Sequence, residues 1–205
     1  MKKTLLLASA SPRRAALLNQ IGAEFVVQPV DVDESPLPEE PSGSLVIRLA
    51  RTKAEAAYSR YSAHYSDADL YCLGADTLGD LKGHLLVKPE NYEHFYLMMR
   101  AMSGQTHEIL TAVSIMGPAF AKTLLCTSHV RFRRLTDEEI GCYWRSGEPQ
   151  DKAGGYAIQG KAGMFVESLS GSYSSVVGLP LCETAELLQQ AGFDLWHEKE
   201  QRIQR

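Results

Sequence analysis

The amino-acid sequence predicts an α/β fold in which helices flank a mixed, twisted sheet. Short apolar runs alternate with amphipathic segments in the first half of the chain, as in strand-helix-strand units. Long alternating runs separated by turn residues, typical of antiparallel strands, dominate the second half. This change indicates two lobes around a cleft. Because no repeat or composition shift marks a linker, we expect one domain over residues 1–205.

The first strand and helix are joined by a loop suited to anions. Residues 4–8 are a short apolar run, Ser11 has the side chain of an N-cap, and Pro12 is a favoured first helical residue. A helix start has unpaired backbone N–H groups and a positive dipole end. With Arg13 and Arg14 beside it, this start is a candidate phosphate site. The competing interpretation is a capped surface helix with solvated arginines.

A second helix, predicted over 43–61 with Ser42 as its N-cap, has a lysine on its apolar side. A strand over 25–27 and a run of carboxylates that ends at Glu34 precede this helix. Residues placed at steps of 100° form an apolar arc, and Lys53 falls in its middle. Either Lys53 extends along the helix to the surface, or it points into a cleft that holds an anion.

A buried strand predicted over 70–75 ends in polar residues. Asp76 and Thr77 follow it directly, and the ends of strands in open α/β sheets are usual places for ligand sites. The residues at 82–83 are typical of a hairpin turn. The returning strand would bring Lys88 back near Asp76.

The later elements are predicted from the same signals. A helix over 91–102 carries a core stripe of phenylalanine and methionine, and antiparallel strands follow over 109–115 and 123–133. Residues 136–139 form a capping box that opens the next helix. After it we predict a glycine-rich loop over 151–160, a hairpin of 164–169 with 173–177, a last helix from 179 to 192, and a loose charged tail.

Composition and motifs exclude several functions. The net charge of -4 disfavours a general nucleic-acid binder, and no apolar run has the length of a membrane span, so we expect a cytoplasmic protein. Four scattered cysteines indicate neither disulfides nor a zinc site, and we expect them to be buried thiols. The chain lacks the phosphate-binding P-loop, the dinucleotide fingerprint, the HExxH helix and the GxSxG elbow.

Carboxylates and cations at the predicted strand ends suit one kind of chemistry. Glu34 and Asp76 are oxygen ligands of the kind that Mg²⁺ or Mn²⁺ prefers. Arg13, Lys53 and Lys88 could neutralise a polyphosphate. Such a set favours hydrolysis of a phosphoanhydride, with a carboxylate accepting the proton of the attacking water.

Eight segments in a fixed order carry a family resemblance. They are ASASPRR (8–14), DE (33–34), RLARTKA (48–54), GADT (74–77), KP (88–89), SGQTH (103–107), DKAG (151–154) with IQG (158–160), and GSY (171–173) with VGLPL (177–181). Over about residues 5–188 the chain therefore resembles the Maf-like nucleoside triphosphate pyrophosphatases.

The resemblance implies an inosine-triphosphatase-like fold and a cytoplasmic, often dimeric enzyme. With a divalent cation, Mg²⁺, Mn²⁺ or Co²⁺, such an enzyme splits a nucleoside triphosphate into monophosphate and pyrophosphate. By matching position, Asp76 is the proton acceptor and also a metal ligand with Glu34. The residues implied to hold the phosphates are Ser9, Arg13, Lys53 and Lys88.

Three matching positions concern base preference. Arg13, Thr77 and Gln159 are similar to the branch that acts on dTTP and UTP, whereas the 7-methyl-GTP branch tends to have Trp, Gln and Glu there. A glutamine amide offers a donor and an acceptor to a uracil or thymine edge. The alternatives are a sibling pyrophosphatase acting on 7-methyl-GTP or other non-standard nucleotides, a nucleotide phosphatase, and a non-catalytic regulator of cell division. Gly79 and Gly155 depart from the family pattern.

Overall fold

One mixed sheet forms the framework of the protein. In the computed structural model, which describes residues 3–65, 70–150 and 152–196, the sheet has seven strands. These are β1 (Thr4–Leu7), β2 (Val26–Val27), β3 (Leu70–Leu81), β4 (His84–Leu86), β5 (Thr106–Gly117), β6 (Phe120–Phe132) and β7 (Val166–Ser170). Their order is β2-β1-β3-β5-β6-β7, and β4 pairs with β3.

Six helices pack around this sheet in the part of the chain that the structure describes. They are α1 (Pro12–Gln20), α2 (Ser42–Tyr61), α3 (Tyr92–Met102), α4 (Asp137–Arg145), α5 (Tyr173–Val177) and α6 (Leu181–Gln190). Short 3-10 turns lie at Ser62–His64, Ala153–Gly155 and Lys161–Phe165. The predicted class, a mixed sheet flanked by helices, is confirmed.

Strand β3 joins the parallel part of the sheet to the antiparallel part. It pairs in parallel with β1, and this pairing ends where Leu7 lies opposite Leu73. Beyond that point β3 continues to Leu81, and its residues 72–80 pair antiparallel with β5. Asp76 and Thr77 therefore lie inside a long strand, and the prediction that they follow the end of a strand over 70–75 was wrong. They lie past the end of the neighbouring β1, where the sheet leaves space for a ligand.

Helix α2 lies directly on β3. Its predicted apolar arc is buried except at Ala56, which is half-buried. At Gly74 a β-carbon would overlap the Ala50 carbonyl oxygen and the Ala54 amide nitrogen, so glycine allows the helix backbone to approach the strand. The helix begins at Ser42, with Pro41 as the N-cap, because the Ser42 hydroxyl donates to Asp80 in place of capping the helix.

Two large apolar clusters form most of the core. The first includes Phe95 and Phe132, together with the methionine stripe of α3 that was predicted as core. The second includes Leu73 and Ile115. The cavity described below is lined by Tyr156, which belongs to the first cluster, and by Val177, which packs against the second. This arrangement agrees with the predicted cleft between two lobes.

The predicted hairpin near the end of the chain is wrong. β7 pairs with β6, and the segment expected to be its partner is the short helix α5. Ser172 is the N-cap of α5, and its hydroxyl accepts a hydrogen bond from the Ser175 amide. Gly171, with φ of 116°, lets the chain leave the sheet just before this cap.

Other predictions have mixed outcomes. Cys72 and Cys126 are buried thiols, whereas Cys142 and Cys182 are exposed, which corrects the expectation that all four are buried. No helix among the described residues has the length and hydropathy needed to cross a membrane. A loose tail was predicted over 196–205; its residues 197–205, and Asp151, lie outside the described residues.

Candidate functional site

A cavity lies past the end of β1, between α1, α2 and the later loops. Seven residues that the sequence predicted for the site line this cavity: Arg13, Glu34, Lys53, Asp76, Thr77, Lys88 and Gln159. These residues lie far apart in the sequence, from Arg13 to Gln159, and the fold brings them together. The hairpin of β3 and β4 returns Lys88 to the cavity that contains Asp76, as predicted.

Lys53 is the centre of the charged groups in the cavity. Its Nζ lies 2.5 Å from Glu34 Oε1 and 2.7 Å from Asp76 Oδ1. Lys53 is 7% exposed and Asp76 is 9% exposed, so this ion pair is buried. Of the two sequence interpretations of Lys53, the structure therefore selects the one in which it points into a cleft. The close approach of α2 to β3 at Gly74 makes this contact possible.

Glu34 completes the group from the more exposed side. Partial burial alone raises the pKa of Glu34, but the hydrogen bond and charge of Lys53, with the charges of Lys88 and Arg14, lower this pKa below its ordinary value. The Glu34 carboxylate is therefore ionised at neutral pH.

The cavity is rich in positive charge. Two carboxylates, Glu34 and Asp76, face a larger set of basic side chains, namely Arg13, Arg14, Lys53, Lys88 and Lys152. The whole chain nevertheless has a net charge of -4. The positive charge is thus concentrated at this site, where it would attract a polyanion.

Arg14 is held by three hydrogen bonds around the cavity wall. Its Nε donates to the Gly178 carbonyl at 2.9 Å, Nη1 donates to Ser9 Oγ at 3.1 Å, and Nη2 donates to Thr77 Oγ1 at 3.4 Å. Burial lowers the pKa of Arg14, while the charge of Asp76 opposes this effect. An arginine keeps its proton under such conditions, so Arg14 contributes a fixed positive charge.

Ser9 has a supporting position. It is buried and does not line the cavity, unlike the other predicted site residues. Its hydroxyl accepts hydrogen bonds from Arg14 and from the Ser11 amide at 3.2 Å. Ser11 itself lines the cavity, and its side chain makes no capping hydrogen bond to α1. The structure thus places Ser9 behind Arg14 and leaves Ser11 facing the cavity.

Known proteins are similar in sequence to this chain. The family described as Maf-like protein matches residues 4–191. This chain belongs to the Maf family. Proteins named dTTP/UTP pyrophosphatase are similar to it: one from Hahella chejuensis is 45% identical, over 96% of this chain and 96% of the relative. One from Nitrosospira multiformis is 47% identical, over 96% and 98%, and one from Escherichia coli O157:H7 is 46% identical, over 96% and 96%.

One solved structure matches part of this chain. The structure of the Staphylococcus aureus Ham1 protein aligns with 63% of this Maf chain and 72% of that chain, with 14% sequence identity and a TM-score of 0.46.

The Maf site contains two of the oxygen donors that a hard divalent cation prefers. Both carboxylates, Glu34 and Asp76, reach the same point, since each contacts the Lys53 ammonium. Among the residues described, no group of three or more His, Cys, Asp or Glu side chains could hold a metal. Two carboxylates nevertheless suit Mg²⁺, which keeps several waters and takes further oxygens from substrate phosphates. The residues present therefore fit a cation that binds together with a nucleotide.

Sequence reasoning missed several residues that line the Maf cavity, including Lys152 and Tyr156. Lys152 and Tyr156 belong to the glycine-rich loop, for which the sequence indicated only that it lies against something. Arg14 was considered with Arg13 at the helix start but was not assigned to the site. The pairs of adjacent polar residues, Arg13 with Arg14 and Asp151 with Lys152, were the available signals in the sequence.

One departure from the Maf pattern has a structural reason. Gly155 has a φ of 66°, and a β-carbon there would lie 2.9 Å from the ring of Phe95. Glycine is therefore favoured at this position by both backbone conformation and space. The glycine lets the loop turn from the Phe95 side of the core into the cavity, where Tyr156 and Gln159 follow.

Proposed function

We propose that this protein hydrolyses dTTP and UTP to the nucleoside monophosphate and pyrophosphate. The observation that carries the proposal is the buried group in which Lys53 contacts both Glu34 and Asp76, inside a cavity lined by further cations. The relatives named dTTP/UTP pyrophosphatase, at 45% to 47% identity over nearly the whole chain, support the same activity.

The basic residues would bind the triphosphate. Arg13 and Lys88 line the cavity with Lys53, so they could contact phosphate oxygens that carry the negative charge. Charged donors fixed before the reaction stabilise charge that develops in the transition state, because they need little reorganisation. In this proposal these residues orient the substrate and stabilise the pyrophosphate leaving group.

Asp76 would accept the proton of the attacking water. Its carboxylate is 9% exposed, and the hydrogen bond from Lys53 to Oδ1 fixes its orientation. A general base must lie within hydrogen-bond reach of the proton that it removes, and the position of Asp76 at the cavity wall allows this.

Glu34 and Asp76 would also hold a divalent cation, Mg²⁺, Mn²⁺ or Co²⁺. When bound, such a cation polarises phosphoryl oxygens and neutralises part of their charge. Without it, the two carboxylates would weaken the attraction of the basic residues for a polyphosphate, because Lys53 alone cannot balance both of them.

Base preference would depend on the neutral part of the lining. Thr77 and Gln159 offer hydrogen-bonding groups, and Arg13 adds a charged donor. A buried polar edge that is left without a partner costs about 1–3 kcal/mol, so a few such groups are enough to discriminate between bases. This supports the preference for uracil and thymine that the relatives' names indicate. A cytoplasmic location and a homodimer, both implied by the family resemblance, belong to the same proposal.

A substrate screen tests this function. Purified protein is incubated with UTP, dTTP, CTP, GTP, ATP and 7-methyl-GTP in the presence of Mg²⁺, Mn²⁺ or Co²⁺. We expect UTP and dTTP to be converted fastest, with one pyrophosphate released per monophosphate. Release of orthophosphate would indicate a phosphatase, preferred turnover of 7-methyl-GTP would indicate the sibling activity, and binding without turnover would indicate a non-catalytic regulator.

A further inference from the structure

His107 is a buried titratable residue that the proposed reaction does not use. It lies on β5 and is 1% exposed, with its ring in edge contact with the rings of Phe132 and Tyr156. Burial lowers the pKa of His107 to about 4, so the imidazole is neutral at neutral pH.

The hydrogen bonding of His107 is incomplete. Nε2 lies 2.7 Å from the Tyr156 hydroxyl, whereas Nδ1 is buried and has no hydrogen-bond partner among the described residues. A buried polar atom without a partner destabilises the fold, and an apolar side chain would avoid that cost. Within the described part of the chain, the imidazole thus has one hydrogen bond, to Tyr156, and Tyr156 lines the cavity.

Tyr156 is part of the segment that forms one wall of the cavity. This wall, residues 152–160, contributes Lys152, Ala153, Tyr156, Ala157 and Gln159 to the lining. It contains consecutive glycines with positive φ, at Gly154 and Gly155, and has little regular structure. Such a segment needs anchors to keep its side chains in place. The hydrogen bond between His107 and Tyr156 is one such anchor. A second anchor is the hydrogen bond that the Ala157 amide donates to Tyr143 Oη at 3.2 Å.

We propose that His107 is a positioning residue for substrate binding, because its hydrogen bond to Tyr156 fixes the wall 152–160 against β5. Gln159 and Lys152 then meet the nucleotide from a wall that is already ordered, and less conformational entropy is lost on binding. The inference rests on the proposed function, since it assigns the wall to nucleotide binding.

Replacing one or both partners separates positioning from stability. Tyr156→Phe leaves His107 with no partner, and we expect the KM for UTP to rise about tenfold, near the value of one buried hydrogen bond, while kcat changes less. The double variant His107→Leu/Tyr156→Phe makes both partners apolar. Its thermal unfolding midpoint should return to within about 3 °C of wild type, whereas KM should stay raised.

Two further variants are controls. His107→Gln keeps a hydrogen-bonding group near the position of Nε2, and its KM should stay close to wild type. Tyr96→Phe removes a tyrosine hydroxyl that donates to Asp137 Oδ1 at 2.8 Å, outside the cavity, and its KM should not change. A double variant with wild-type KM would overturn the proposal, because the pair would then have only a structural role.

Hydrogen exchange measured without nucleotide makes the test independent of the activity. In the double variant, amides of 152–160 should exchange faster than in wild type, while amides of β5 and β6 keep their protection. Unchanged exchange in this wall would contradict the inference even if the protein hydrolyses UTP. A wild type that does not hydrolyse UTP would instead contradict the proposed function, and faster exchange would still support the anchor.

Discussion

Two of the ion-pair clusters on helix α2 have different properties. Arg48 forms a bidentate pair with Glu40, in which Nε and Nη2 each lie 2.7 Å from a carboxylate oxygen, and it also donates to the Ser35 carbonyl. Five positions later, the Lys53 ammonium contacts two carboxylates, Glu34 and Asp76. The pair of Arg48 is complete and holds a loop, whereas one lysine is balanced against two carboxylates in the cavity.

The difference shows how a site differs from a structural ion pair. Arg48 and Glu40 satisfy each other with matched geometry and need no further ligand. The group at Lys53 has one excess negative charge, while Arg13 and Lys88 in the same cavity have positive charge available for a ligand. A cation near the carboxylates would balance the excess negative charge. A polyphosphate near Arg13 and Lys88 would balance their positive charge. Variants of the residues in each cluster test this contrast.

Asp76→Asn should have the largest effect. The amide cannot accept a proton from water, so we expect kcat to fall by about 10³-fold, within the range for loss of a general base. Its fold should be intact, as circular dichroism can verify. Steady-state release of pyrophosphate from UTP measures the change, and activity within a few-fold of wild type would remove Asp76 from the mechanism.

Lys53→Ala should come next, and Lys88→Ala should behave similarly. Loss of one cation that faces the phosphates should cost about 2–4 kcal/mol of transition-state stabilisation, read from kcat/KM. The matched control is Lys122→Ala, which removes an exposed lysine that contacts Gln190. An effect below about 1 kcal/mol would mean that the lysine acts as an ordinary surface charge.

Gly74→Ala tests the contact that delivers Lys53 to Asp76. The added methyl group has no space against the backbone of α2, so the helix must move away, with a loss of about 1–3 kcal/mol in unfolding free energy. We also expect kcat to fall. Gly43→Ala, on α2 itself, is the control, because a β-carbon there makes only ordinary contacts of 3.7 Å or more. Equal effects of the two variants on kcat would refute the positional argument.

Arg48→Ala should have a smaller effect on activity. The partly buried pair of Arg48 and Glu40 holds the loop next to Glu34, and within the described part of the chain it has no hydrogen bond to a proposed site residue, so kcat/KM should stay within about fivefold of wild type. A loss as large as that of Lys53→Ala would show that the two clusters do not differ in the way proposed.

The pKa of Glu40 should report the ion pair with Arg48 independently of enzyme activity. The Arg48 guanidinium lowers the pKa of Glu40 to about 2. Because the pKa of Glu40 is lowered in the folded protein, its ionised form stabilises the fold at pH values above the ordinary glutamate pKa. This contribution is lost as the pH falls toward 2. Carboxyl resonances followed by NMR measure this pKa. In Arg48→Ala it should rise toward the ordinary value, and an unchanged low pKa would exclude Arg48 as the cause.

The sequence predicted those parts of the fold and site whose signals lie in neighbouring residues. Capping residues and apolar periodicity located α1, α2 and α3 to within one or two residues. Lys53 was identified as unusual because a charged residue fell in an apolar arc. The hairpin turn at 82–83 correctly indicated that Lys88 returns toward Asp76.

Other features depend on contacts that sequence patterns do not encode. The true length of β3 depends on β5, which pairs with it past the end of β1. The helix α5 depends on a cap at Ser172, within a run whose apolar residues also suit a strand. The hydrogen bonds that place Arg14 and His107 join residues far apart in the chain, so neither role could be inferred from spacing.

A crystal structure with Mg²⁺ and α,β-imido-UTP, which resists hydrolysis between the α- and β-phosphates, would show directly where the triphosphate and the cation bind. We expect the phosphates to contact Arg13, Lys53 and Lys88, with the cation held by Glu34 and Asp76. A nucleotide bound elsewhere, or phosphates that lie away from these carboxylates and lysines, would contradict this expectation.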